Sequence, residues 1–527
     1  MIGRDWSHSN SDRVRRWAVS VSRRAGLDRG AVRAVAGLRP VLAAARRATF
    51  EGGATRVAVG AGGVGLAVAL VAVTAAGPWA DGQRVAERNW AAAREGAGRT
   101  GRTPATAPSA PPVLAGLGPG LSPQTVPLPT GQGLDNALSP LFDDPALGAV
   151  RAGVVLDAAT GRQLYGHDPD APSTPASTTK IATAVAALQS LGDDYRIPTT
   201  VVPGAAPGGI VLVGGGDPTL TARPTPPGTD PDATPASLSD LADATARTLK
   251  ERGWTKVQLS YDTSLYTGPL LHPIGVDPNI APVTPLMVDE GRVDPNSTEN
   301  APRVADPADS AAQAFAGMLR DRGITVDGDV RPGSAPAGEE ARLAEVDSMP
   351  LSALVERMLT NSDNDIAEAL ARQTAISLGK PVSFAGGAQA ISEELGRIGL
   401  PLAGTSFNDG SGLDRDDRLT AQLLARLLYT AADPAHPQLR PVLSGLPIAG
   451  FTGTLSDRFS GATSDAAGLV HAKTGTLTGV NTLAGTAVDA DGRLLVFAFM
   501  ASGTQNATNA VTALDRLAAT VTNCGCR

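Results

Sequence analysis

Three short motifs, far apart and in a set order, limit what this chain can fold into. They are Ser177-Thr178-Thr179-Lys180, Ser362-Asp363-Asn364 and Lys473-Thr474-Gly475. Each crowds reactive side chains together, and they act jointly only if the fold brings three distant elements to one point. After Pro175-Ala176, the residues Ile181, Ala182, Val185, Ala186 and Leu188 recur at helical spacing. Ser177 and Lys180 therefore stand on one face at the start of a buried helix, whose positive end favours developing negative charge. Residues 351–359 predict a helix that delivers the second motif at its end, and 365–378 predict another. Residues 470–473 read as a strand broken by Gly475, and 480–488 pair with 494–500 across a Gly-containing turn.

The lysines sharpen this pattern. Lys180, Lys250, Lys256, Lys380 and Lys473 are the only lysines in 527 residues, and two of them fall inside motifs. Arginine cannot replace Lys180 as a base, because a guanidinium stays protonated while an ammonium loses its proton when buried or crowded by charge. Cleaving or transferring an amide needs a nucleophile, a base, a leaving-group acid and an oxyanion site. Ser177 is the candidate nucleophile and Lys180 the base, kept neutral by like-charge repulsion from Lys473. Ser362 passes a proton to a departing amine, and Asn364 offers a donor and an acceptor to a substrate amide. Lys473 with the hydroxyls of Thr474 and Thr476 receives a carboxylate, and Gly475 lets substrate lie against the strand edge. The N–H groups of Ser177 and Thr476 flank the oxyanion.

Other chemistries lack support. There is no HExxH or paired CxxC pattern, and no metal or cofactor is called for. Asp409-Gly410-Ser411-Gly412 misses the first glycine of a nucleophile elbow. Gly214-Gly215-Gly216-Asp217-Pro218 has no P-loop Lys and reads as a turn. His471 has a structural or solvent-exposed role.

Charge and hydropathy organise the rest. Residues 1–56 carry twelve Arg against Asp5, Asp12, Asp28 and Glu51, about +8 within a chain of net charge −7. The remaining body is acidic, which argues against nucleic acid as a partner. An uncharged run over 57–78 is long enough to span a bilayer. The arginine excess before it predicts a cytoplasmic N-terminus and an exported body, with an uncleaved anchor favoured over a cleaved signal. Residues 79–135 read as a Pro/Gly-rich tether. A discontinuous catalytic domain follows over 136–194 and 346–527, interrupted by an inserted α+β accessory domain over 195–345. Cys524 and Cys526 either close a small ring or lie in an exposed tail without a role.

The motif set resembles the class C penicillin-binding proteins, the D-alanyl-D-alanine carboxypeptidase/endopeptidase group. The likeness covers residues 136–523 and includes Pro175–Lys180 as a block, Gly215-Gly216-Asp217-Pro218-Thr219-Leu220, Ser362-Asp363-Asn364, Asp409-Gly410-Ser411-Gly412-Leu413, Gly453-Thr454-Leu455 and His471-Ala472-Lys473-Thr474-Gly475-Thr476-Leu477. It implies an α/β (α+β) serine β-lactamase/transpeptidase-like fold, an antiparallel sheet against a helical subdomain with the serine between them. It also implies peptidoglycan stem peptides as substrates, β-lactams as covalent inhibitors, and an extracytoplasmic enzyme. Two other readings remain, a β-lactamase of the same fold and a non-catalytic cell-wall binding module. No Glu-x-x-x-Asn lies between the second and third motifs to speed deacylation, which favours the carboxypeptidase.

Overall fold

The computed structural model describes residues 126–526, apart from 276–277, 298–299 and 337–341. The basic segment, the apolar run and the tether up to residue 125 lie outside the described residues. In chain order the principal elements are α1 (Gly131–Phe142), β1 (Val150–Asp157), β2 (Gln163–His167), α2 (Thr179–Leu191), β3 (Pro198–Pro203), β4 (Gly209–Val213), α3 (Leu238–Glu251), β5 (Lys256–Asp262), α4 (Pro307–Asp321), β6 (Thr325–Val326), β7 (Arg331–Pro332) and β8 (Ala344–Asp347). Then come α5 (Leu351–Asn361), α6 (Asn364–Ser377), α7 (Phe384–Arg397), α8 (Ala421–Ala432), α9 (Arg440–Ser444), β9 (Val470–Leu477), β10 (Val480–Val488), β11 (Leu494–Ser502) and α10 (Ala507–Thr522).

The central sheet runs β2-β1-β11-β10-β9, antiparallel throughout. Its strands are apolar on both sides because both faces are covered. Val154, Leu156, Val496, Ala498 and Met500 pack with α2, α5, α6 and α8. The alternate residues Val155, Leu495, Phe497 and Phe499 pack with α1 and α10. The serine-bearing helix is thus buried between the sheet and the other helices.

A second sheet, ordered β6-β5-β4-β3-β8 with β7 on β5, is built wholly from residues 198–347. Its entry and exit strands are neighbours, Pro198 pairing with Asp347, so the chain leaves and rejoins the catalytic body at one neck. α3 and α4 cover this sheet with a core of their own. Between β5 and α4 the chain returns to the catalytic body, where Tyr266, Ile280 and Val283 pack on Phe384 and Leu413.

One expectation needs correction, and one left open is decided. The tether does not reach residue 135, because α1 occupies 131–135 and begins at Thr130, whose hydroxyl accepts from Gly133 N–H. The C-terminal cysteines form a disulfide and are not an exposed tail. Cys524 is buried, and the Cys526 carbonyl accepts from Thr130 N–H at 2.7 Å, tying the chain end to the start of α1. The disulfide is one of the two readings the sequence left open, whereas α1 went unread because it is Gly- and Pro-containing and earns its helicity from packing.

α1 is held by Leu134, Leu138 and Phe142, the last stacking on His167 at 4.5 Å and meeting Phe499 edge-on at 5.8 Å over Gly153. Phe142→Ala should destabilise the folded body by about 3–5 kcal/mol. Denaturant unfolding of the full chain checks this, and an unchanged midpoint would remove α1 from the core.

Candidate active site

Ser177 lies in a 3-10 turn, Ala176–Thr178, that opens into α2. The turn holds Ala176 in a left-handed conformation at φ 49°, which costs about 1–3 kcal/mol. Two hydroxyls offset this by donating to the Pro175 carbonyl, Thr178 Oγ1 at 2.7 Å and Thr482 Oγ1 at 2.8 Å. One helical turn on, Lys180 is fully buried. Its Nζ donates to Asn364 Oδ1 at 2.6 Å and to the Ser411 carbonyl at 2.7 Å, and lies 3.0 Å from Ser177 Oγ. The first two partners only accept. A neutral amine gives them its two N–H groups and keeps its lone pair for the Ser177 hydroxyl.

Burial pushes the Lys180 amine down to about 8, against the pull of the Asp409, Asp363, Glu368 and Asp365 carboxylates. Lys473, also fully buried, is pushed well below the ordinary lysine range, first by burial and then by the charge of Lys180. The repulsion acts on Lys473; at Lys180 burial is what lowers the amine, so desolvation takes the part expected of Lys473 there. Lys473 Nζ donates to Ser362 Oγ at 2.8 Å and to the Thr474 carbonyl at 2.9 Å. The two lysines therefore hold one serine each.

The second motif is a helix junction in which each residue has a local task. Ser362 ends α5 in the left-handed region at φ 60°, Asp363 caps α6 by accepting from Ile366 N–H at 3.0 Å, and Asn364 begins α6. The Asn364 amide is engaged at both ends, since Nδ2 donates to the Asn279 carbonyl at 2.9 Å while Oδ1 takes Lys180. That arrangement fixes the amide's orientation. Asn364 thus also holds the base, a task the sequence reading did not assign to it, while its second N–H and second lone pair are not used by these contacts.

The third motif lies on β9, at the end of the sheet. Ala472 N–H donates outward to Pro447, and ladder alternation turns the N–H groups of Thr474 and Thr476 the same way. Among the described residues, the segment 447–449 covers only the start of this edge. Thr474 Oγ1 also meets Thr454 Oγ1 at 2.8 Å, at the rim. The structure gives the glycine a task the sequence reading did not name. A Cβ on Gly475 would stand 2.1 Å from Thr482 Oγ1 and 2.6 Å from the Pro175 carbonyl. Gly412, at φ 81°, makes a similar approach, its Cβ position lying 2.0 Å from the Ala176 carbonyl. These two glycines let the serine turn fit between β9 and the 409–414 loop.

A model of the D-Ala-D-Ala carboxypeptidase 3 (S13) family matches residues 134–302 and 296–521. The chain belongs to that family. A carboxypeptidase of Mycobacterium tuberculosis is 40% identical over 438 residues, covering 81% of this chain and 91% of the relative. A D-alanyl-D-alanine carboxypeptidase of Actinomadura is 30% identical over 434 residues, 67% of this chain and 78% of that one. In fold, the chain resembles penicillin binding protein 4 of Haemophilus influenzae, with a TM-score of 0.59 at 22% identity over 74% of this chain and 98% of that one. The fold is accordingly the transpeptidase-like one that the motifs imply.

Within this S13 site, the structure brings Ser177, Lys180 and Asn364 together through Lys180, and Ser362 to Lys473. Sequence reasoning missed Asn279, which steadies Asn364, and Ser411, whose carbonyl holds Lys180. The Asp409–Leu413 motif signalled the second of these, but nothing local marked the first. Gly475→Ala should push the serine turn off its position and lower labelling of Ser177 by a fluorescent penicillin at least about 100-fold. Labelling within a few-fold of the parent would show that the turn tolerates the methyl.

Proposed function

We propose that this chain is a serine-type D-Ala-D-Ala carboxypeptidase that trims peptidoglycan stem peptides through a Ser177 acyl-enzyme. The observation carrying this is the buried amine of Lys180, 3.0 Å from Ser177 Oγ with its other two directions taken by acceptors. Family membership and carboxypeptidase-named relatives support the same reading.

The terminal carboxylate of the peptide lies against Lys473, Thr474 and Thr476. Its charge favours the ammonium form of Lys473, and that ammonium in turn keeps Lys180 neutral. Ser177 Oγ attacks the carbonyl carbon of the penultimate D-Ala while its proton passes to Lys180 Nζ. The oxyanion is met by the N–H groups of Ser177 and Thr476. The C–N bond breaks, the amine of the terminal D-Ala takes a proton by way of Ser362, and water then hydrolyses the ester and restores the serine hydroxyl. A cross-linked peptide presents the same bond, so DD-endopeptidase activity uses the same groups. β-Lactams acylate Ser177 and persist as adducts.

The exported body is carried on an N-terminal anchor over 57–78, a reading supported by the arginine excess before that run. Among the described residues no helix is long and apolar enough to cross a membrane. Protease treatment of intact cells should remove the C-terminal body and spare the N-terminal segment. Protection of the body would overturn export.

Incubating the detergent-solubilised full chain with a penicillin, and following intact mass with drug loss, tests the chemistry. A lasting adduct on Ser177, with D-Ala released from a stem pentapeptide, is expected. Drug destroyed without adduct would make it a β-lactamase, and neither change would make it a binding module. Lys180→Arg should lower acylation at least about 100-fold with the unfolding midpoint retained. Because the neutral amine is the active form, the acylation rate of the parent should rise about tenfold per pH unit and level off near the Lys180 value of about 8. A flat profile between pH 6 and 9 (roughly two units to one unit either side) would rule out this base.

A further inference from the structure

The Ser411 carbonyl that holds Lys180 belongs to a loop organised by one buried carboxylate. Asp409 Oδ1 accepts from Gly412 N–H at 2.6 Å, and Oδ2 accepts from Asp414 N–H at 2.8 Å and Ser411 Oγ at 3.1 Å. A further partner comes from the inserted segment, His272, whose Nε2 lies 2.8 Å from Asp409 Oδ2. Both side chains are buried. The tautomer follows from the contacts. His272 Nδ1 accepts from Ile274 N–H at 3.2 Å, so the ring is neutral with its proton on Nε2, donated to Asp409. Phe384 meets the ring edge-on at 5.2 Å.

The peptide is fixed from the other side as well. Glu368 Oε1 accepts from the N–H groups of Gly410 and Ser411, both at 3.0 Å, with Arg372 on its second oxygen. Thr183 Oγ1 donates to the Gly410 carbonyl at 2.6 Å. The Asp417 carboxyl is raised by burial and by the neighbouring Asp409 charge, whereas Asp409 faces donors from His272, Ser411, Gly412 and Asp414, which favour its anion.

We propose that Asp409, aligned by His272, is the counter-charge for the ammonium that Lys180 becomes on taking the Ser177 proton. The inserted segment thereby sets the strength of the catalytic base, with His272 and Asp409 as positioning residues that do not touch substrate. This rests on the acyl-transfer reading above. Lys180 is neutral before the step and cationic after it, so a fixed anion two residues from its Ser411 contact, and hydrogen-bonded to Ser411 Oγ, favours the later state. The other charges facing Lys180 are Asp363, Glu368, Asp365 and Lys473, and those facing Asp409 are Glu368, Asp414 and Asp417 with Arg372 behind Glu368.

The test is the rate of penicillin acylation of the full chain against pH, with thermal unfolding of each variant alongside. Absence of acylation in the parent would defeat the acyl-transfer reading and this inference with it. With the parent active, Asp409→Asn should move the acidic limb down by about one pH unit and lower the plateau about tenfold, because losing the anion makes Lys180 easier to deprotonate but a weaker base. Asp409→Asn also replaces an acceptor of three loop hydrogen bonds, so His272 is tested as well. His272→Leu should lower the plateau about tenfold with the pre-covalent affinity for penicillin unchanged, and His272→Gln, which keeps a donor, should restore most of it. Two results would overturn the inference. One is a limb that stays in place in a folded Asp409→Asn protein. The other is His272→Leu acylating at the parental rate.

Discussion

The site depends on two lysine ammonium groups being taken out of water side by side. An isolated buried charge is costly, so both amines are pushed toward their neutral forms, and at Lys473 the charge of Lys180 adds to that cost. The surrounding architecture is what keeps them there. α2 lies between the sheet and α5, α6 and α8, where water does not reach Lys180. β9 carries Lys473 in from the sheet, and the α5–α6 junction supplies the serine and the amide that meet the two amines.

Around this pair, the inserted segment works as a wall of the site although its own sheet stands apart. Asn279 holds the amide that holds Lys180, and Ala281 N–H donates to Asp365 Oδ1 at 2.9 Å. Arg303 pairs with Asp365 at 2.8 Å, and Glu290 takes Arg292 and Arg357. These contacts, with the His272–Asp409 pair, fasten residues 262–303 to the second motif and to the 409–414 loop. Such buried pairs add little net stability, but breaking one leaves an uncompensated charge, so they resist displacement.

Much of the chemistry was legible because it is local. Ser177 and Lys180 are neighbours on any helix, and a left-handed cap, an N-cap and a first helical residue can be placed on Ser362-Asp363-Asn364 once the flanking periodicities are seen. The β10–β11 hairpin was equally plain from its apolar runs and turn. The packing task of Gly475 and the base-holding contact network of Asn364 were not legible, because their partners, Pro175 and Thr482 for one and Asn279 for the other, lie far away in sequence. α1 went unread, and so did α7 and α8, for a related reason. Their apolar faces are complete only against the rest of the core.

The sequence by itself determined the reactive groups, their pairing within each motif and the kind of element that carries each one. Those follow from residue type and from spacing over a few positions. Tertiary structure alone decided which lysine holds which serine, how deeply each amine is buried, and that a histidine from the insertion reaches the loop behind the base. Those outcomes depend on desolvation and on contacts between residues as far apart as His272 and Asp409, and no local spacing records them.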